Sequence, residues 1–274
     1  MSMRSIINGM AKEPIKRDGD YIGEDGLLYC GKCHTKKQVR LTLPDGKIIT
    51  PMCLCKCESE ERDKQEREQK ERERIIEVER YRNVGFPDKD LKNCTFAVDD
   101  SKESQVSKSA RRFVENFDDF YKAGKGLMFY GGVGTGKTFL AACIANALID
   151  KSIPCLVTNF SRITNRLQST FDGKQEYIDS LNKFSLLVID DFGMERNTEY
   201  MNEIVYNVID SRYRSGKPLI VTTNLTVQEL SNPDSIDKQR IYSRINEMCV
   251  RLEVTGKDRR AETKNGDLIA KLLG

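Results

Sequence analysis

The chain of 274 residues contains no apolar run near the ~18–20 residues that a membrane-spanning helix needs. Its N-terminus also lacks the apolar core of a signal peptide. Together these absences point away from membrane insertion and secretion and predict a cytoplasmic protein. A strong charge imbalance is missing too. Lysine and arginine number 45 against 42 acidic residues, a net charge of +3. No global basic field advertises nucleic acid, although a local basic face stays compatible with this balance. Histidine is almost absent, His34 being the only one.

Cysteine, by contrast, is plentiful and clustered. Five of the nine cysteines lie between Cys30 and Cys57. In a reducing compartment such clusters more often hold metal than disulfides. Tyr29-Cys30-Gly31-Lys32-Cys33-His34 contains a CxxC knuckle, whose tight turn aims two thiolates at one tetrahedral ion. The second half is Met52-Cys53-Leu54-Cys55-Lys56-Cys57. In an extended strand Cys53, Cys55 and Cys57 project to one face, so two of the three complete a four-thiolate site with Cys30 and Cys33. His34 reads as a solvated neighbour, with replacement of one cysteine ligand as the alternative. Between the halves, Val39 to Leu43 and Lys47 to Thr50 flank Pro44-Asp45-Gly46, a hairpin signature. Zinc suits four thiolates, and a segment this short draws much of its folding energy from the metal.

From Glu58 to Arg74 every residue is charged except Ser59, Gln65 and Gln69. Glu58–Arg62, Glu60–Lys64, Glu66–Lys70 and Glu68–Arg72 stand at i,i+4 with the acid first, the better order on a helix. No apolar seam precedes Ile75, which argues for a solvated single helix rather than a coiled coil. Continued to Tyr81 it would span about 36 Å. Gly85-Phe86-Pro87 then breaks it. The predicted organisation is a mobile tail over 1–20, a zinc-binding module over 21–57, a charged linker helix over 58–82 and an ATPase domain over 83–274.

Beyond Ala110, short apolar runs alternate with helical stretches. The strands are predicted at Leu127–Tyr130, Pro154–Phe160, Ser185–Asp190, Leu219–Thr223 and Met248–Val254. The helices fall at Phe139–Asp150, Ser161–Phe171, Tyr200–Ser215 and Ile241–Met248. Continuous apolar strands alternating with helices define an α/β fold with a parallel sheet.

Gly131-Gly132-Val133-Gly134-Thr135-Gly136-Lys137-Thr138 joins the first strand to the first helix, the context that a P-loop needs. Its backbone N–H groups and the helix dipole converge on one anion. Lys137 reaches the β/γ-phosphates, and Thr138 offers a hydroxyl to Mg²⁺. The nucleotide-binding stretch runs on to Phe139. Leu186-Leu187-Val188-Ile189-Asp190-Asp191 is a Walker B arrangement, with Asp190 expected at the metal and Asp191 at the attacking water. A further strand ends in Asn224, a polar side chain able to orient water near the γ-phosphate. These residues predict binding of ATP and Mg²⁺.

The order and spacing of GGVGTGKT, LLVIDDFG, IDSRYRSGKP, VTTNL, RIYSRINEMC and TGKDRR resemble the AAA+ ATPases of the DnaC/DnaI helicase-loader family, themselves similar to IstB transposition helpers. The resemblance covers roughly residues 83 to 262. It implies a five-stranded AAA+ core, ATP hydrolysis at a subunit interface, and self-association with nucleotide. It makes Asn224 the sensor 1 residue and Arg244 the arginine finger, with Arg240 able to share or take that role. Arg260 matches sensor 2. Two departures stand out. Asp190-Asp191 replaces the Asp-Glu of many AAA+ enzymes, which predicts slow turnover, and little sequence follows Arg260 to build a lid. The cysteine module and charged helix resemble the DnaI-like and phage-type branch. The expected partners are a DnaB-type replicative helicase and single-stranded DNA, with Arg162, Arg166 and Lys257 to Lys264 as candidate DNA contacts. The alternatives are a transposase helper acting on duplex DNA and a non-hydrolytic, ATP-controlled adaptor.

Overall fold

Where the cysteine-rich segment folds, it does so with very little apolar material. The computed structural model describes residues 17–169, 173–196 and 198–258, and the chain divides into two compact units at Ile75 and Ile76. Most of the predicted tail, together with Arg260, Lys264 and the lid region, lies outside the described residues. In the first unit β1 (Tyr21–Ile22) pairs antiparallel with β2 (Leu28–Tyr29), and β3 (Leu41–Thr42) with β4 (Ile48–Ile49). The predicted hairpin turn is present: Gly46 takes φ +81°, and Asp45 accepts the Lys47 N–H at 3.0 Å. Leu27 and Leu28 are buried alongside Cys30 and Cys55. A buried ammonium shares this interior: Lys37 lies 2.9 Å from Asp20 and 3.1 Å from Glu58. Its charge is tolerable there because two carboxylates surround it.

Helix α1 (Lys56–Gly85) begins earlier than the sequence pattern implies. Cys57 therefore sits in its first turn and not on a strand, which corrects the alternating-strand picture of the CxCxC half. Glu58 also departs from its expected Arg62 partner. It turns instead to Lys37 and to Arg17, 3.2 Å away, because a buried ammonium is a stronger partner than an exposed guanidinium. Farther along, Arg62 pairs with Glu66 at 3.5 Å. Val78 and Tyr81 pack on the core of the second unit, and α1 ends at Gly85, where a Cβ would collide with the Cys155 carbonyl.

The second unit is a five-stranded parallel sheet in the order β6-β7-β8-β5-β9. The strands are β5 (Gly126–Tyr130), β6 (Cys155–Thr158), β7 (Leu186–Phe192), β8 (Leu219–Thr223) and β9 (Cys249–Glu253), each within a few residues of its predicted place. Alternate residues of β7 feed opposite cores. Leu187 and Ile189 join Phe160, Ile163, Val208 and Ile245 on one face. Leu186 and Val188 join Phe113, Ile144 and Leu148 on the other. Helices α4 (Lys137–Ile149), α5 (Phe160–Gln168), α7 (Glu199–Arg214) and α9 (Ile236–Met248) cover these faces. Four more lie outside the predicted set: α2 (Gln105–Glu115), α3 (Phe117–Ala123), α6 (Lys174–Ser180) and α8 (Val227–Ser231). For α2 the signal was present: Ser104 caps it through the Ser107 N–H, and Ala110, Phe113 and Val114 fall at helical spacing on its buried face.

This topology gathers the functional segments. The central strand β8 lies between β5, which leads into the P-loop, and β7, which ends in the two aspartates. All three release their chemistry at the carboxyl edge of the sheet, where α/β folds bind ligands.

Candidate nucleotide site and candidate metal centre

The glycine-rich loop between β5 and α4 is shaped to receive an anion. Gly134 and Gly136 hold φ at +76° and +99°, conformations that L side chains rarely adopt. Lys137 is buried, and its ammonium donates to the Gly131 and Gly132 carbonyls at 3.0 and 2.6 Å. Phosphate oxygens are stronger acceptors than peptide carbonyls, so this lysine has a better partner to gain within its own loop. Thr135 donates to the Gly132 carbonyl at 2.9 Å and stiffens the crest. Val133 is exposed, while Phe139 is half-buried against the core beneath. The exit from β9 presses on the loop. A Cβ at Gly131 would strike the Val254 carbonyl, and the Asp258 carboxylate fills the space that a Cβ at Gly134 would need.

At the end of β7 the ladder to β8 breaks register. Ile189 pairs with Val221 and Phe192 with Thr223, so Asp190 and Asp191 together oppose Thr222. This is a bulge, and Asp191 takes φ +53° within it. The Thr222 hydroxyl fills the gap. It donates to Asp190 Oδ1 at 2.5 Å and accepts the Asp191 N–H at 3.0 Å. Thr138 donates to the same Asp190 oxygen at 2.8 Å, which joins the P-loop helix to the Walker B strand. Next along β8, the Thr223 hydroxyl donates to the Phe192 carbonyl at 2.6 Å. Both threonines are fully buried. Burial raises the Asp190 pKa above the ordinary aspartate value, against the lowering effect of the Thr222 and Thr138 hydroxyls. A carboxylate and a hydroxyl this close, with hard oxygen donors, fit a Mg²⁺ ion. Asp191 is exposed, and Asn224 is half-buried just past β8.

One acidic residue at this edge went unread in the sequence. Glu195 accepts the Gly193 N–H at 2.8 Å, closing the turn after Asp191. Its Oε1 is buried without a hydrogen-bond partner, and burial raises its pKa. Its only sequence signal was an acid two residues after a turn glycine. Thr222 and Thr223 were likewise readable only as strand residues.

The arginines do not gather at this edge. Arg244, on α9, is held by Asp210 of α7 at 2.6 Å and lies over the rings of Tyr206 and Tyr213. Arg240, one turn earlier, is exposed. Neither makes an ion pair or hydrogen bond with the P-loop, Asp190, Asp191 or Asn224. Arg162 is paired with Asp88 at 2.5 Å.

In the first unit Cys30, Cys33, Cys55 and Cys57 bring their sulfurs within 4.8 Å of one another. The Cys30–Cys57 and Cys55–Cys57 separations are 3.6 and 3.3 Å. Four sulfurs ~2.3 Å from a tetrahedral zinc stand roughly 3.8 Å apart, so the set fits that ion. The start of α1 makes the selection among the last three cysteines. Cys57 curls back toward Cys55, while Cys53 Sγ points to the Lys36 carbonyl at 3.5 Å. The Thr35 hydroxyl, 3.1 Å from Cys33 Sγ, helps pull that thiol down to about 5. His34 stands aside, its Nδ1 3.3 Å from the Tyr21 hydroxyl.

A five-stranded parallel sheet with a P-loop, a Walker B bulge and a polar strand end between them defines the AAA+ class of P-loop proteins. Residues 59–266 match the family described as IstB-like ATP binding protein, and this chain belongs to that family. It is homologous to the DnaC/DnaI helicase loaders. It is 28% identical to "Replicative helicase loader DnaC" of Escherichia coli (strain K12) over 181 residues, 61% of this chain and 73% of that protein. It is 31% identical over 163 residues to "Uncharacterized protein YqaM" of Bacillus subtilis (strain 168). That match takes in 56% of this chain but only half the length of YqaM. Among solved structures, one titled "Crystal Structure of the DnaI" superposes with a TM-score of 0.54 at 26% identity, covering 66% of this chain and all of that one.

Proposed function

We propose that this protein is an ATP-dependent helicase loader, which binds a DnaB-type hexameric replicative helicase and helps place it on single-stranded DNA during replication. Two observations carry the reading: 66% of this chain matches the DnaI structure over that chain's whole length, and the same polypeptide presents a four-thiol N-terminal module. In this reading the module grips the helicase, and the AAA+ half assembles on nucleotide and single-stranded DNA in the cytoplasm.

The residues then divide the work. Gly131 to Phe139 would hold ATP, with Lys137 supplying the point charge at the β/γ-phosphates. Thr138 and Asp190 would hold Mg²⁺, which when bound neutralises charge on the transferring phosphoryl group. Asp191 orients or deprotonates the attacking water, and Asn224 orients it from the neighbouring strand end. The Thr222 hydroxyl fixes the bulge on which both aspartates stand. Arg244 serves the nucleotide of a neighbouring subunit, with Arg240 one turn away, and Arg260 serves its own. Cys30, Cys33, Cys55 and Cys57 would hold zinc, which ties the two hairpins to the start of α1. Slow turnover follows from the short Asp191 side chain and from the need for an arginine in trans.

A second reading draws on the family itself, whose name is that of the IstB-like proteins: an ATPase that acts on duplex DNA with a transposase. A loading assay separates the two. The full chain, the cognate helicase and ATP are added to circular single-stranded DNA covered by single-strand-binding protein, and unwinding of an annealed oligonucleotide is followed. The loader reading expects unwinding that requires this protein. No unwinding, with ATP turnover stimulated instead by duplex DNA and a transposase, would establish the second reading.

A further inference from the structure

Helix α7 carries Tyr206, Asp210 and Tyr213 at i, i+4 and i+7, one helical face, and α9 lays Arg244 across it. Asp210 is buried, and its Oδ2 is held by Arg214 at 2.8 Å. Its Oδ1 lies 2.6 Å from Arg244 Nη2. The Arg244 guanidinium is 4.7 Å from the Tyr206 ring centre and 5.8 Å from that of Tyr213. Tyr213 is itself tied back to α9 through Glu247 at 3.0 Å. Only 24% of the Arg244 side chain is exposed.

We infer that Asp210 is a positioning residue for Arg244, parking the guanidinium on its own subunit until the phosphate of a neighbouring site takes it over. The inference rests on the trans-arginine reading above. The contact is close in charge but not aligned as a hydrogen bond. Asp210 Oδ1 and Arg244 Nη1 are both buried without a hydrogen-bond partner. An arginine held this way is confined yet keeps unspent donor capacity. A phosphate, with more charge and oxygens set for paired N–H donors, offers what Asp210 does not. The carboxylate therefore competes with the phosphate, and exchange is favoured only when a nucleotide is presented. An open concavity of about 510 Å³, lined in part by Tyr206, Asp210 and Arg214, lies on the Asp210 side of the pair. Arg240, exposed and outside any ion pair among the described residues, needs no such release.

The test uses mixtures of full-length subunits. The acceptor carries Arg244→Ala and keeps its P-loop. The donor carries Lys137→Ala, which removes its own turnover, and keeps Arg244. The wild-type donor face should stimulate ATP turnover by the acceptor. Adding Asp210→Asn to the donor should raise that stimulated rate roughly three- to tenfold, between the effects of exposed and buried ion pairs. The acceptor's ATP affinity should stay unchanged. Asp210→Glu should return the rate to the wild-type level, and Arg244→Ala in the donor should abolish the gain. Tyr206→Leu, which removes one stacking face without touching charge, should also raise the rate, and serves if the Asn variant fails to fold. Stimulation by the wild-type donor that is unchanged or lowered by Asp210→Asn overturns the parking role and leaves the trans reading intact. No stimulation by the wild-type donor overturns both.

Discussion

The Thr222 hydroxyl lies 2.5 Å from Asp190 Oδ1 and accepts the Asp191 N–H at 3.0 Å, so one side chain sets both residues of the β7 bulge. Thr222→Val keeps the shape and removes both hydrogen bonds. A hydrogen bond to a charged group contributes ~1.5–3 kcal/mol, so turnover should fall roughly 10- to 100-fold. ATP affinity should change little, because the P-loop is untouched. Steady-state turnover and nucleotide titration check this; a variant with wild-type turnover contradicts it.

Lys137→Ala and Asp191→Asn should separate binding from hydrolysis. The lysine is the buried cation of the phosphate loop, so its loss should abolish nucleotide-dependent activity. Asp191 is exposed and lies after the metal-site Asp190, so its variant should bind ATP nearly as wild type and hydrolyse it far more slowly. Equal loss of affinity in the two variants would refute this division.

The thiol geometry predicts one zinc per chain and a particular pattern of dispensability. Cys33→Ser and Cys57→Ser should each lose the metal on purification, as measured by elemental analysis. Cys53→Ser should keep close to one equivalent, because Cys53 faces the Lys36 carbonyl and not the cluster. Loss of zinc from Cys53→Ser alone would contradict the geometry.

Burial leaves Asp190 with a higher pKa in the folded chain than in the unfolded one. As pH rises from below the ordinary aspartate range through the raised folded value, ionising this group costs stability. That cost is complete once the pH stands above the folded value and no metal is bound. Asp190→Asn keeps an acceptor for Thr138 and Thr222 and removes the charge. It should stabilise the nucleotide-free protein at a pH above the folded value, with the gain vanishing in acid. Mg²⁺-dependent turnover should be lost. Thermal melts across pH read this directly, and an Asn variant that melts lower above the folded value would contradict it.

The sheet was legible because β5 to β8 are short apolar runs, the pattern that burial on both faces of a parallel sheet demands, although the edge strand β9 is half exposed. The P-loop was legible because a glycine-rich turn followed by Lys137 and Thr138 has few other uses between a strand and a helix. The bulge was not, since Asp190-Asp191 reads the same in a regular strand end and Thr222 reveals its role only when β8 lies alongside. Cys57 misled for a related reason: whether Cys53, Cys55 and Cys57 share a face depends on where α1 begins, and a charged run starts a helix without announcing its first residue. The arginine assignments had spacing but no sign of Asp210, which lies more than thirty residues before Arg244 and meets it only through helix packing.

Direct binding to the helicase tests the loader assignment most sharply. Full-length protein, with and without ATP, is mixed with the cognate DnaB-type hexamer and resolved by size-exclusion chromatography with light scattering. A loader should form a stable complex in both conditions, kept by Lys137→Ala and lost in the Cys30→Ser/Cys33→Ser double variant. A helicase that elutes alone in every mixture, or a complex indifferent to the cysteines and dependent on Lys137, would contradict it.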